Sequence, residues 1–385
     1  MRISFSKSVT ESLLAKIRSG EAMSRNEKFN LIIQLSVPSI LAQVTTVLMF
    51  YIDAGMVGSL GAEPSAAIGL VEPATWLFFS LVSAVTMGFS VQVAHFIGAN
   101  DFAKARAVMR HGYIFGLCFA LLLLLITFLI GSRLPVWLGG GTDIQHDATV
   151  YFLIFSLIIP FHLIEYMSAA MLKVSGDMRR PSFMAILMCV LDVIFNYFFI
   201  FPTRTISLFG MEMTMPGLGE GVAGAALGSL LSFVCVALPL AYYAIFRSPI
   251  LAWKQDVERF VWCWQYIWNA MKIGAPMALQ YLLMNGAQLV STMIVAPLGN
   301  ISIAAHSFAI TAESLCYMPG YGISEAATTL VGQSVGADRR DLHRSFAWMT
   351  ILLGMVVMAF MGVVMYIFAP EMIGLLSPVV EIQVL

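Results

Sequence analysis

Ionisable side chains fall inside long apolar blocks of this 385-residue chain, among them Asp53, Glu72, His95, His162, Glu165, Asp192, Glu313 and Glu325. A charge at membrane depth costs about 2.5–3.5 kcal/mol on insertion scales, so such residues tend to be retained for function. No Lys or Arg falls in the middle of a block, so no fixed positive charge is at hand to neutralise the acids. Carboxylates without cations suit a proton, a sodium ion or a cationic substrate. Asp192 has Asn196 one helical turn later on the same face. Asp53 lies about four turns after Pro38, whose missing N–H lets a helix bend. Asp53 and Asp192 together can share a proton or hold a sodium ion. Glu165, Glu313, Glu325 and Gln43 are candidates for the wall of a substrate cavity, with Glu313 and Glu325 spaced about three turns apart as if on one face. Glu72, next to Pro73 near the start of its block, reads as interfacial, and His95 and His162 as structural.

The elements that must carry these residues are membrane helices. The chain is 59% hydrophobic and 11% charged, where a soluble domain is about 45–50% apolar and about 25% charged. An ordinary soluble enzyme is excluded, and a net charge of −1 offers no basic field for nucleic acid. With about 20 apolar residues needed per crossing, the sequence predicts nine spans, near 31–56, 67–97, 111–131, 148–171, 183–201, 222–246, 271–296, 304–331 and 346–369. Residues 372–376 read as the approach to a tenth. The first 29 residues spread their basic residues too evenly for a signal peptide. They predict a short amphipathic helix, capped by Thr10 and carrying Leu13, Leu14 and Ile17, on the membrane surface. With the N-terminus in the cytoplasm, the Lys and Arg residues divide about 19 to 2 in favour of the cytoplasmic side. Trp253, Trp262, Trp264 and Trp268 predict an interfacial surface helix within the linker 247–269.

Shifting the sequence by 238 residues aligns its halves without a gap for about 80 positions. Pro38 falls on Pro276, Leu60-Gly61 on Leu298-Gly299, and Gly98-Ala99 on Gly336-Ala337. This predicts an all-α polytopic protein of two pseudo-symmetric bundles around a central cavity, related by an axis along the membrane normal. The first bundle takes 30–246, and an incomplete second takes 270–385. The repeat predicts a second copy reaching about position 484, roughly three spans further, unless the protein departs from its own symmetry. The Gly-rich stretch 217–228 follows no predicted strand and lacks a GKS/T sequel, so it reads as close helix packing rather than a nucleotide loop. The five cysteines form no CxxC pair, so neither a zinc site nor a redox motif is expected. No Ser/His/Asp or Cys/His arrangement points to an enzyme.

Four stretches, 35–70, 190–201, 221–232 and 303–338, resemble the multidrug and toxic compound extrusion (MATE) family of the flippase-exporter superfamily. Most specific is the run from Ala304-Ala305-His306 to Val331-Gly332-Gln333 and Gly336-Ala337. The resemblance implies twelve spans in two six-helix lobes and drug efflux driven by inward flow of protons or sodium ions. Asp53 matches the family's acid in the first helix, Asp192 its partner in the fifth, and Ser229 a small hydroxyl residue of the sixth. Met188 stands where an asparagine is common, Asn196 lying one turn after the acid instead, and Met284 stands where some members carry a glutamate. The resemblance thus implies an antiporter of cationic or amphipathic compounds that works by alternating access, as a monomer in the plasma or inner membrane, N-terminus in the cytoplasm. It implies no cofactor beyond the coupling H+ or Na+, no metal beyond sodium at Asp53 and Asp192, and no partner beyond its substrate and lipid. The alternatives are a flippase for lipid-linked saccharides, which needs cations to grip a pyrophosphate, and a receptor that moves nothing.

Overall fold

The computed structural model describes residues 7–208, 211–255 and 260–376. Its helices are α1 (Lys7–Ser19), α2 (Arg25–Gly58), α3 (Ala62–Gly98), α4 (Phe102–Ile130), α5 (Leu134–Trp137), α6 (Gln145–Ser156), α7 (Ile158–Val174), α8 (Arg179–Ile200), α9 (Gly221–Tyr242), α10 (Trp264–Val295), α11 (Asn300–Gly336) and α12 (Arg340–Leu376). Seven of these segments are long and apolar enough to cross a membrane, and α6 with α7 makes an eighth, bent by 41°. The expected fourth span is therefore broken at Leu157. Pro160, in the first turn of α7, has no N–H to offer the carbonyl of Ser156, which ends the ladder there. The expected eighth span falls on α11, a 37-residue helix that is not apolar enough to count among these eight.

Helix starts follow local chemistry. Ser24 caps α2 with a reciprocal bond to Glu27, and Asp101 accepts from the Lys104 amide at the start of α4. The turn before α3 needs Gly61 at φ 122°, and the turn before α11 needs Gly299 at φ 100°. Asn100 and Asp338 both take left-handed φ, at 59° and 52°, just past the ends of α3 and α11. Each pair is separated by the 238-residue shift, so the repeat is written in the backbone as well as the sequence.

In the first bundle α8 packs on α9 and α2, and α7 packs on α9, α3 and α4. In the second, α11 packs on α12, α2 and α3, while α10 packs on α3. Apolar side chains stay exposed along α10 and α12, among them Leu283, Ile294, Met355, Val356 and Phe360. On a membrane protein such faces meet lipid, where water would oppose them.

Four expectations are corrected. The helix carrying Leu13, Leu14 and Ile17 does not lie on a membrane surface. These three are at most 5% exposed and pack against Leu31, Ile32 and Leu35 of α2, Ala326 and Leu330 of α11, and Phe346 of α12. An apolar helix face is satisfied by protein as well as by lipid, and its periodicity does not say which. Thr10 lies inside α1 and donates to Gln34 rather than capping. The linker forms no surface helix among its described residues. Trp253 stands in a short 3-10 turn, and Trp264 and Trp268 already belong to α10. The linker is pinned to α4 instead, with Arg106 and Arg110 donating to the carbonyls of Ile250 and Trp253, and the Cys263 amide donating to His111. Residues 372–376 continue α12 rather than opening a further span; the residues after 376 lie outside those described.

A two-stranded antiparallel hairpin, β1 (Pro202–Leu208) and β2 (Met211–Leu218), joins α8 to α9 at the end of the molecule opposite α1. Gly217 therefore lies in a strand, whereas Gly224 and Gly228 press on the backbone of α8 as close-packing glycines.

Candidate functional site

Each long helix around the centre turns one face to a common cavity of about 290 Å³. On α2 that face carries Gln43, Thr46, Phe50 and Asp53, spaced three to four residues apart. On α8 it carries Met188, Asp192 and Asn196, and on α9 Ala225, Ser229 and Phe233. Glu72, Trp76 and Phe79 come from α3, and His162, Glu165, Tyr166 and Lys173 from α7. The second bundle adds Ser307, Thr311, Met318 and Glu325 from α11.

Asn196 joins the two aspartates. Its Nδ2 donates to Asp53 Oδ1 at 3.0 Å and to Asp192 Oδ2 at 2.9 Å, so helices α2 and α8 meet through one amide nitrogen. Asp192 also accepts from Ser232 Oγ at 3.1 Å. Ser229 lines the cavity one turn before Ser232. Asn196 and Asp192 are 1% exposed. Gly228 makes room for this group, because a Cβ there would overlap Asn196 Oδ1. That oxygen is buried with no partner among the described residues. The donors assembled here are all oxygens apart from one amide nitrogen, a set that suits a proton or a hard monovalent cation. Among the described residues no group of three or more His, Cys, Asp or Glu could hold a metal ion.

Glu72 is not interfacial. Its carboxylate lines the cavity, accepts from Ser307 Oγ of α11 at 3.0 Å and from Trp76 Nε1 at 3.4 Å, and so ties the two bundles together. The next residue being proline hid this, because Pro73 sits inside a helix that begins eleven residues earlier. His162 is also on the wall, stacked on Phe79 at 4.4 Å, and both its ring nitrogens lack partners among the described residues. Phe50 meets Trp76 edge-on at 5.3 Å, which extends the aromatic lining.

Glu313 does not join Glu325. It is exposed and absent from the cavity wall. Twelve residues turn a helix well past a whole number of turns, so the two glutamates face about 120° apart. The expectation that no cation approaches the acids is also corrected. Lys173, from the last turn of α7, lines the cavity and pairs with Glu325 at 2.5 Å. Pro38 and Pro276 lie within α2 and α10, both of which continue through them.

Helical bundles repeated at a 238-residue interval, walling a cavity with buried acids, define a class of multi-pass membrane protein. The MatE family model matches residues 38–198 and 276–382, two segments that start 238 residues apart, and the chain belongs to this family. The "Probable multidrug resistance protein NorM" of Thermotoga maritima is 25% identical over 348 residues, covering 90% of this chain and 72% of that protein. Its namesake from Neisseria meningitidis serogroup B is 24% identical over 331 residues, covering 85% of this chain and 69% of the relative. Among solved structures, an outward-facing multidrug resistance MATE family transporter superposes with a TM-score of 0.77 at 21% identity, covering 90% of this chain and 73% of that one. A MOP superfamily transporter from Pyrococcus furiosus, described with a binding pocket of reversed polarity, gives 0.80 at 22% identity, covering 93% and 76%.

Proposed function

We propose that this protein is a multidrug efflux transporter that exchanges cationic or amphipathic compounds for protons or sodium ions across the plasma or inner membrane. Support comes from the family, from relatives named for multidrug resistance, and above all from the Asn196-bridged carboxylates on a cavity wall between bundles. Aromatic side chains hold the apolar part of the cargo, and the carboxylates hold its charge. A proton or sodium ion arriving at Asp53 and Asp192 competes for the same negative site. Competition of this kind couples the two fluxes, and neither ligand shifts the conformational balance by more than its differential affinity for the two states.

The distribution of basic residues supports a cytoplasmic position for the α1 end. At that end the bundles touch through the Lys173–Glu325 pair and through Gln333 Nε2 donating to the Val174 carbonyl at 2.7 Å. On this reading the arrangement corresponds to a state closed to the cytoplasm. A saccharide flippase is the weaker reading, because the cation described on the wall, Lys173, is already paired with a carboxylate.

Uptake of a fluorescent organic cation into inverted vesicles, driven separately by a pH gradient and by a sodium gradient, tests the reading and separates the ions. One gradient drives uptake, and Asp53→Asn abolishes it while the protein still inserts. Normal uptake by that variant removes the coupling role from Asp53.

A further inference from the structure

The cavity carries two further carboxylates besides Asp53 and Asp192, on α7 and α11. Glu165 is 9% exposed, lines the cavity and accepts no hydrogen bond from any described residue. Glu325 spends one oxygen on Lys173, and the other, Oε2, is buried without a partner among the described residues. Beyond this pair lies a smaller recess of about 40 Å³, lined by Thr86, Ser90 and Thr328. Tyr166, Lys173 and Glu325 line both spaces, so they form the partition between the recess and the main cavity. The partition is also a seam between bundles, with Lys173 on α7 and Glu325 on α11.

We propose that Glu165 and Glu325 form a capture site for an organic ammonium, and that Lys173 is a tethered competitor filling it whenever the α1 end is closed. Separation of α7 from α11 withdraws the Lys173 ammonium and leaves two carboxylates facing the entrance, beside the Tyr166 ring. A cationic cargo takes the vacated place and then passes to the deeper aspartates. On closure Lys173 returns, which displaces any cargo left at the entrance and opposes its re-entry. The site is distinct from the Asp53–Asn196–Asp192 group and rests on the reading that the cargo is a cation.

Binding of ethidium to the purified full chain in nanodiscs tests this, read by fluorescence anisotropy. Removing the competitor in Lys173→Gln tightens binding by about fivefold or more, within the range of typical site–site coupling. Adding Glu325→Gln, or Glu165→Gln, to that variant reverses the gain. Lys173→Arg, which keeps the competing charge, binds as the parent does. The gain from Lys173→Gln persists when Asp53 and Asp192 are both changed to Asn. If Lys173→Gln weakens binding, or if the glutamate changes leave its gain intact, the capture site is wrong while the transporter reading stands. A parent and variants that all fail to bind the cation overturn both.

Discussion

Gly98 and Gly336, 238 residues apart in sequence, press on each other's helices where α3 and α11 cross at the α1 end of the molecule. A Cβ on Gly98 would overlap the Gln333 carbonyl, and one on Gly336 would overlap the His95 carbonyl. His95 and Gln333 are themselves separated by 238, so the contact is reciprocal. Nearer the hairpin end the same two helices meet at Gly69 and Ser307, another pair with that separation. The pseudo-two-fold axis therefore runs between α3 and α11.

Alanine at either glycine forces the crossing apart, since backbone has nowhere to yield. Gly98→Ala and Gly336→Ala each cost about 1–3 kcal/mol, as overpacking does. Gly354→Ala, with open space around it, stays within about 0.5 kcal/mol of the parent. Unfolding of the detergent-solubilised variants distinguishes them. Equal stability at all three positions would mean the crossing is looser than described.

Asn196 is a positioning residue for the two aspartates. Asn196→Leu removes the shared donor and leaves the buried Asp192 and the half-buried Asp53 without it, at a loss of about 1.5–3 kcal/mol for each charged hydrogen bond. Gly228→Ala acts on the same group from α9 by pushing on Asn196 Oδ1. Both variants slow ion-driven dye uptake more than they weaken gradient-free dye binding, which also draws on the aromatic wall and the other carboxylates of the cavity. A loss of binding equal to the loss of uptake counts against this role.

Much of this arrangement can be read from sequence because membrane helices are long, uniform and separated by charged turns. The repeat, Asp53, Asp192 and Asn196 all depend on spacing alone, and spacing survives folding. What spacing does not convey is which neighbour covers a face. The α1 helix shows the same apolar stripe whether it floats on lipid or docks under α11, and only contact decides. Glu313 and Glu325 differ by a rotation that a count of turns blurs. Lys173 looks like a loop residue because its helix ends there, yet its long side chain carries the ammonium back to Glu325. Ser232, three residues after Ser229, was within reach of the same periodicity argument. The hairpin at 202–218 left no signal of its own among Met, Gly and Thr residues.

Docking of α1 has a consequence that a surface helix would not. Ile17 is fully buried at the junction of α2, α11 and α12, and Leu14 packs against the turn at Gly176. Arg339 donates to the Glu21 carbonyl and Asn100 to that of Arg18, so the segment spans the ends of both bundles. Ile17→Ala costs about 2–5 kcal/mol as a core truncation. The loss appears as a lower unfolding midpoint in detergent, where no bilayer surface exists to bind. Unchanged stability there, with weaker association of the isolated segment with vesicles, would return α1 to the membrane surface.

Ser307 offers a narrower test of how the bundles are held near the hairpin end. Its hydroxyl donates to Glu72 across the seam, and its symmetry mate is Gly69, which leaves space for that side chain. Ser307→Ala removes the bond, leaves Glu72 with Trp76 as its remaining described donor, and costs about 1.5–3 kcal/mol of inter-bundle attachment. The variant shifts the population toward separation at that end, so a cysteine placed at Thr311 on the cavity wall reacts faster with an aqueous thiol reagent than in the parent. Ser307→Thr keeps the hydroxyl and restores the parent rate. If Ala and Thr at this position react alike, the Glu72 carboxylate holds the seam through other contacts and the bond to Ser307 is incidental.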